Sequence, residues 1–122
     1  MDYGDIGLWI VQGLLGLAMV ASGAMKVATR REKLLASMAW VGWVPNWAPV
    51  AIGVAEVAGG IGLILPWASG IVPVLTPVAG ACLAILMAGA VKVHADHSDL
   101  KGGIPAVVLG LLGIIVAVGR SL

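Results

Sequence analysis

The segment LAMVASGAMKV, residues 17–27, returns as LAILMAGAVKV at residues 83–93. Six of the eleven positions are identical at a constant offset of 66 residues, and each copy is almost wholly apolar until a lysine near its end. A repeated apolar segment predicts two successive hairpins, each made of two helices. Because a hairpin returns the chain to its starting side, we expect both copies to cross a membrane in the same direction, as parallel internal repeats do.

The composition around these segments is that of an integral membrane protein. Of the 122 residues 61% are hydrophobic, the mean hydropathy is +1.08, and 11% are charged, whereas about a quarter of the residues in soluble domains carry a charge. Apolar stretches suited to a bilayer core of about 30 Å occupy residues 6–27, 50–67, 71–91 and 104–118. The sequence therefore predicts an all-α, four-helix membrane bundle, built as a single domain over residues 1–122.

The positive residues predict how this bundle is oriented. All except Arg120 flank two connections, the one between the first and second helices and the one between the third and fourth. Since positive residues favour the cytoplasmic side, we expect both connections inside and both termini outside. Asp2 and Asp5 precede the first apolar run, where a secretory signal would carry positive charge. We therefore expect a retained helix and a multi-pass protein of the inner (plasma) membrane.

The connection at about residues 30–47 is predicted to form a short helix on the cytoplasmic membrane interface. Leu34, Met38 and Val41 recur at helical spacing behind a charged start. The tryptophans of this stretch have the amphipathic rings that settle at headgroup level; they are Trp40, Trp43 and Trp47. Such a helix either meets a soluble partner or gates a cavity, or it is a membrane-anchored linker.

Glu56 is the one acidic residue inside an apolar span. Placing a charge at such depth costs at least about 2.5–3.5 kcal/mol, so the side chain is expected to face the bundle interior and to pair. Lys26 and Lys92, the lysines of the two repeats, are the candidate partners. Together with Ser22 they are predicted to line a net positive pocket for an anionic or carbonyl-rich headgroup. The alternative is an ion pair that only locks the helices together while the second lysine reaches the membrane surface.

The histidines that follow the third helix are weak candidates for a metal site. His94 and His97 are three residues apart, but the nearby sequence offers no further histidine or cysteine to complete a transition-metal shell. We therefore expect no metal there. Lys92 and Asp96 have the four-residue spacing of an ordinary helical ion pair.

The sequence contains no signature of an intrinsic redox cofactor. Cys82 is the only cysteine, which excludes an internal thiol relay, and the sequence has neither a nucleotide-binding fingerprint nor cysteines to hold a cluster. The net charge of +1 gives no reason to expect nucleic acid as a partner. We expect a protein that is not catalytic by itself, in contact with membrane lipid and with another membrane protein or a second copy.

Four stretches resemble the DoxX-like family of small four-helix membrane proteins: SGAMKV, GWVP, GVAEVAGGIGLILP and MAGAVKVHADHSD. The resemblance covers nearly the whole chain, and its most specific elements are Ser-Gly-x-x-Lys followed by Ala-Glu-x-x-Gly-Gly. The founding members are similar to a small subunit of a thiosulfate:quinone oxidoreductase. The resemblance thus implies that Lys26, Glu56 and Lys92 line a site for a quinone or a lipid headgroup, with the redox centre on a partner.

Three functions are compatible with these features. The first is an accessory or anchor subunit of a membrane oxidoreductase complex. The second is a small proton-coupled transporter that uses Glu56, since intramembrane carboxylates serve proton exchange; loss of liposome flux in Glu56→Gln would identify it. The third is a structural membrane protein that self-associates through faces such as that of Gly80, Ala84 and Ala88, which crosslinking in native membranes would reveal.

Overall fold

The computed structural model describes residues 2–122, and within that range it is all-helical apart from turns and short connections. Four of its helices are long and apolar enough to cross a membrane, as predicted: α1 (Tyr3–Ala28), α3 (Ala48–Ser69), α4 (Leu75–Asp96) and α5 (Leu100–Gly119). A short helix, α2 (Arg31–Ser37), and a 3₁₀ helix (Ala39–Trp43) lie between α1 and α3. The protein is therefore a multi-pass membrane protein with a short helical insertion in its first hairpin.

Local capping residues mark three ends of the long helices. The side chain of Asp2 accepts a hydrogen bond from the backbone N–H of Asp5 and caps α1, and Asp99 caps α5 through the N–H of Gly102. Gly70, with φ of 72°, ends α3 in the left-handed conformation that glycine adopts without a steric penalty. These caps satisfy backbone groups that helix ends otherwise leave unpaired.

The third long helix differs in register from the sequence prediction. It was expected over residues 71–91 but runs from Leu75 to Asp96. Pro73 explains the late start, because a proline disfavours helical geometry in the residue before it; Val72 there has φ of 46°. The turn between α3 and α4 accordingly occupies residues 70–74, whereas the predicted spans left only residues 68–70 between them.

The two hairpins pack side by side as a four-helix bundle. The first hairpin pairs α1 with α3 and the second pairs α4 with α5, while α3–α4 and α1–α5 contacts join the hairpins. If α1 is exchanged with α4 and α3 with α5, the same pairs of helices remain in contact. This arrangement is the one expected of two repeated hairpins. Within the second hairpin, a Cβ on Gly80 would lie 2.6 Å from the carbonyl oxygen of Gly113, so Gly80 serves internal packing rather than an outer self-association face.

The segment from α2 to the 3₁₀ helix folds against one end of the bundle. Leu34 and Val41 are buried, whereas Trp47 is 69% exposed. Trp43 stacks on His97 of the turn after α4, with ring centroids 4.4 Å apart and planes within 2° of parallel. The segment is thus attached to the end of α4 as well as to the end of α1.

Candidate functional site

Lys26 and Glu56 form a buried ion pair between α1 and α3, as predicted. The Nζ of Lys26 lies 2.7 Å from Oε1 of Glu56, and the residues are 7% and 2% exposed. Glycines bring the two helices together beside the pair: a Cβ on Gly23 would lie 2.4 Å from the carbonyl oxygen of Gly53. The absence of side chains at this crossing lets the lysine and the carboxylate meet without solvent between them.

Ser22 completes the network. Its hydroxyl accepts a hydrogen bond from Lys26 Nζ at 2.7 Å and donates one to Oε2 of Glu56 at 3.3 Å, so each carboxylate oxygen has a donor. The ammonium also lies 5.8 Å from the centroid of the Trp40 ring, within reach of a cation–π interaction. A lysine ammonium has three donors, and within residues 2–122 it donates to Glu56 and Ser22. One N–H of the ammonium therefore has no hydrogen-bond partner among these residues.

A second polar pair lies at the junction of α4 and α5. The Nδ1 of His94 is 3.0 Å from Oδ2 of Asp99, whose other oxygen accepts from the N–H of Gly102 at 3.1 Å. The hydrogen bond with His94, followed by that from Gly102, holds the pKa of Asp99 below its ordinary value. Asp99 is therefore ionised at neutral pH and orients the imidazole. The ring of Trp43 lies nearly perpendicular to this imidazole, with the two centroids 5.7 Å apart.

Both polar pairs lie in the wall of one cavity of about 620 Å³, a volume typical of small-molecule sites. The rest of the wall is mostly apolar and includes Leu86, Met87 and Leu109. The segment from Met38 to Trp40 closes one side. The cavity thus presents a small number of fixed polar groups on an apolar background, at the bundle end where α1 and α4 finish.

Comparison with models of known protein families gives a match over most of the chain. The model of the DoxX-like family matches residues 10–118 of the 122-residue chain. This chain belongs to the DoxX-like family. No curated protein sequence and no solved structure is similar enough to match it. The family match extends over both polar pairs of the cavity, but it assigns them no role.

In this DoxX-like protein Lys92 does not join the buried cluster, and that prediction was wrong. Its side chain is 75% exposed, and Nζ pairs with Oδ2 of Asp96 at 2.6 Å, the four-residue pair expected from the spacing. Ala88, one turn earlier, is also exposed, so small residues on α4 do not mark its inner face. The cavity wall consequently lacks the predicted net positive charge, since Lys26 is balanced by Glu56 and Asp99 is negative.

The two histidines have separate partners in the DoxX-like protein. His94 bonds to Asp99, whereas His97 lies with Nδ1 2.8 Å from the carbonyl oxygen of Val93 and its ring against Trp43. In the part of the chain that the structure describes, no three histidine, cysteine, aspartate or glutamate side chains converge as a metal site. Of the two histidines, only His94 lines the cavity.

The opposite end of the DoxX-like bundle holds a polar cluster that the sequence reasoning missed. Arg120 Nη1 lies 2.6 Å from Oδ1 of Asp5, and Nε donates to Oε1 of Gln12 at 2.6 Å. Gln12 in turn donates to the carbonyl oxygen of Leu63 at 2.7 Å. The ring of Trp67 covers the guanidinium at 4.6 Å. The seven-residue spacing of Asp5 and Gln12, which places them on one face of α1, was the available signal.

Proposed function

We propose that this DoxX-like protein binds the carbonyl-bearing headgroup of a membrane quinone in the 620 Å³ cavity, at the cytoplasmic end of the bundle. The observation that carries the proposal is Lys26, a residue of the cavity wall that is 7% exposed, is balanced by Glu56 and has one N–H without a hydrogen-bond partner among residues 2–122. Because Glu56 balances the positive charge of Lys26, the remaining N–H group is better suited to a neutral carbonyl oxygen than to an anion. Lipid headgroups share this carbonyl chemistry, and the binding experiment distinguishes the two.

The second polar pair supports the same ligand. A benzoquinone ring has two carbonyl oxygens on opposite edges, and the cavity carries polar groups on two walls, Lys26 from α1 and His94 from α4. The Nδ1–H of His94 donates to the Asp99 carboxylate, which fixes the imidazole ring and leaves Nε2 as an acceptor for a hydroxyl group of the reduced quinol. The apolar residues of the same wall, among them Leu86 and Leu109, provide a surface for the faces of the ring.

The protein is further proposed to act as an accessory subunit that presents the quinone to a redox partner in the cell membrane. Its own sequence supplies no electron-carrying group, so the electrons have to come from another chain. The transporter alternative is less favoured because both oxygens of Glu56 are engaged by Lys26 and Ser22, and proton uptake would have to break one of these bonds.

The decisive experiment measures binding of a tail-less dimethoxy-methyl-benzoquinone to the protein in mild detergent by calorimetry. A double variant, Lys26→Met with Glu56→Gln, removes the ammonium without leaving a buried unpaired charge. We expect its affinity to fall about tenfold or more, the loss of one charge-assisted hydrogen bond. Lys92→Met is the matched control and should bind as the native protein does, since Lys92 lies outside the cavity.

Equal affinity of the double variant, or no binding by the native protein, would contradict the quinone proposal. A short-chain diacyl phosphatidylcholine, which keeps the ester carbonyls of a membrane lipid, is tested in parallel and identifies a lipid-headgroup site if it binds and the quinone does not. Thermal unfolding of both variants shows whether they are folded. Extraction from native membranes in the same detergent tests the accessory role: a redox subunit should co-purify in stoichiometric amount, and its absence would remove this part of the proposal.

A further inference from the structure

A second cavity of about 530 Å³ lies along the seam between α3 and α4. Small residues form much of its α3 wall, and larger apolar residues of α4 form the opposite wall. Leu83, which is 2% exposed, forms its base. The side chain of Leu83 packs directly on Gly59, where a Cβ would lie 2.8 Å from Cδ2 of Leu83. The cavity is therefore an open apolar groove between two membrane-spanning helices, and it is distinct from the polar cavity.

The groove and the polar cavity share one wall residue, Leu86. On α3 the groove begins at Ala55, beside Glu56 of the polar cavity, and continues to Gly62, a distance of about 10 Å at 1.5 Å per residue. It runs away from Lys26, toward the turn at residues 70–74. A molecule with its head beside Lys26 would therefore have its tail directed along this groove into the bilayer.

We propose that the groove holds the hydrocarbon tail of the same molecule whose headgroup occupies the polar cavity. The inference rests on the proposed function and specifies the ligand class as a long-tailed membrane amphiphile, which enters sideways from the bilayer through the α3–α4 seam. Leu86 marks the boundary between head and tail. The groove is accordingly a tail site rather than a contact surface for a second copy.

Photo-crosslinking tests the proposal on the intact protein in detergent. The probe is a decyl-tailed benzoquinone with a diazirine at the end of the tail, and the control is decanol carrying the same diazirine. We expect the quinone probe to label the end of the groove that is far from Lys26, around Gly62 and residues 75–79, as mapped by mass spectrometry. Decanol should label exposed residues of all four long helices, because no headgroup anchors it. Excess tail-less quinone should displace the quinone probe from the groove.

A pair of variants separates the groove from the rest of the surface. Ala58→Trp places a large ring in the groove, whereas Ala21→Trp makes the same change at an exposed position on α1. Ala58→Trp should weaken binding of the decyl-tailed quinone about tenfold and leave binding of the tail-less quinone unchanged. Ala21→Trp should alter neither.

The outcomes distinguish failure of this inference from failure of the proposed function. If the tail-less quinone binds but the probe labels the helices as diffusely as decanol does, the tail site is overturned and the headgroup site stands. If neither quinone binds, the proposed function itself fails. A dimer in light scattering, with the groove inaccessible to the probe until the dimer dissociates, would assign the groove to a second copy and overturn the tail site.

Discussion

Glu56 is 2% exposed, and the charge of its carboxylate is compensated within the bundle by the ammonium of Lys26. Removing or reversing one member of a buried pair leaves an unpaired charge and costs about 3–5 kcal/mol. Glu56→Lys should therefore lower the thermal unfolding midpoint strongly or prevent folding. Lys26→Glu in the same chain should recover much of the loss, because the pair is restored with its charges exchanged.

Lys92→Glu is the matched control for this charge exchange. Lys92 is 75% exposed and pairs with Asp96, so combining its reversal with Glu56→Lys should give no recovery. Unfolding midpoints measured by circular dichroism in detergent provide the comparison. Equal recovery by the two reversals would show that the lysines compete for Glu56, contrary to the contacts seen here.

The same residues show how far the sequence predicts the site. An acidic residue within an apolar span has to pair, and this energetic requirement pointed to Lys26. The repeat suggested Lys92 equally, but a repeat does not determine how each helix is rotated about its axis. Alanines and glycines occur on both the inner and the outer face of α4. Their positions therefore did not show which face of α4 points into the bundle. The sequence did not predict the hydrogen bond between His94 and Asp99, because this bond depends on how the turn between α4 and α5 folds.

Among the contacts between helices, the α1–α3 crossing affects the site most directly, because it brings Lys26 and Glu56 together. A Cβ on Gly53 would lie 2.7 Å from the carbonyl oxygen of Gly23 and 2.9 Å from Cβ of Lys26. Backbone cannot move aside as a flexible side chain can, so Gly53→Ala should separate the helices. We expect a loss of about 1–3 kcal/mol of unfolding free energy, the usual cost of overpacking, together with weaker quinone binding.

Gly13→Ala supplies the control for the glycine crossing. A Cβ there meets nothing within 4 Å, and alanine favours helix over glycine by roughly 0.5–1 kcal/mol. Its unfolding midpoint should be unchanged or slightly raised, with native quinone binding. A Gly53→Ala protein that is as stable as Gly13→Ala would show that α1 and α3 are farther apart than the structure has them.

The existence of the helices was predictable from the sequence, whereas some of their ends were not. Apolar length alone identifies the membrane-spanning segments, because the bilayer thickness sets a minimum length. The ends depend on local features instead: Pro73 delays α4 to Leu75, and Asp99 advances α5 to Leu100. Since His94 and Asp99 lie at the ends of α4 and α5, these few residues of register decide whether the two side chains meet.

For the whole molecule, the two ends of the bundle have separate polar clusters. Lys26 and Glu56 occupy one end and Arg120 with Asp5 the other; along α1 the 21 residues from Asp5 to Lys26 correspond to about 30 Å. The first cluster lines the ligand cavity, whereas the second joins α1 to α5 where the last helix closes the bundle. Sequence reasoning found the first because its acid lies in an apolar span, and missed the second because its members lie near the chain ends.

Arg120 provides a test that separates these two roles. Its side chain is 6% exposed and bonds to Asp5 and Gln12; because Asp5 is partly exposed, we expect Arg120→Leu to cost about 1–3 kcal/mol. The unfolding midpoint should fall while quinone affinity at the other end stays native. Lys101→Ala, which removes an exposed positive charge from the same helix, should change neither quantity. A loss of quinone affinity in Arg120→Leu at an unchanged midpoint would show that the two ends are coupled and contradict their independence.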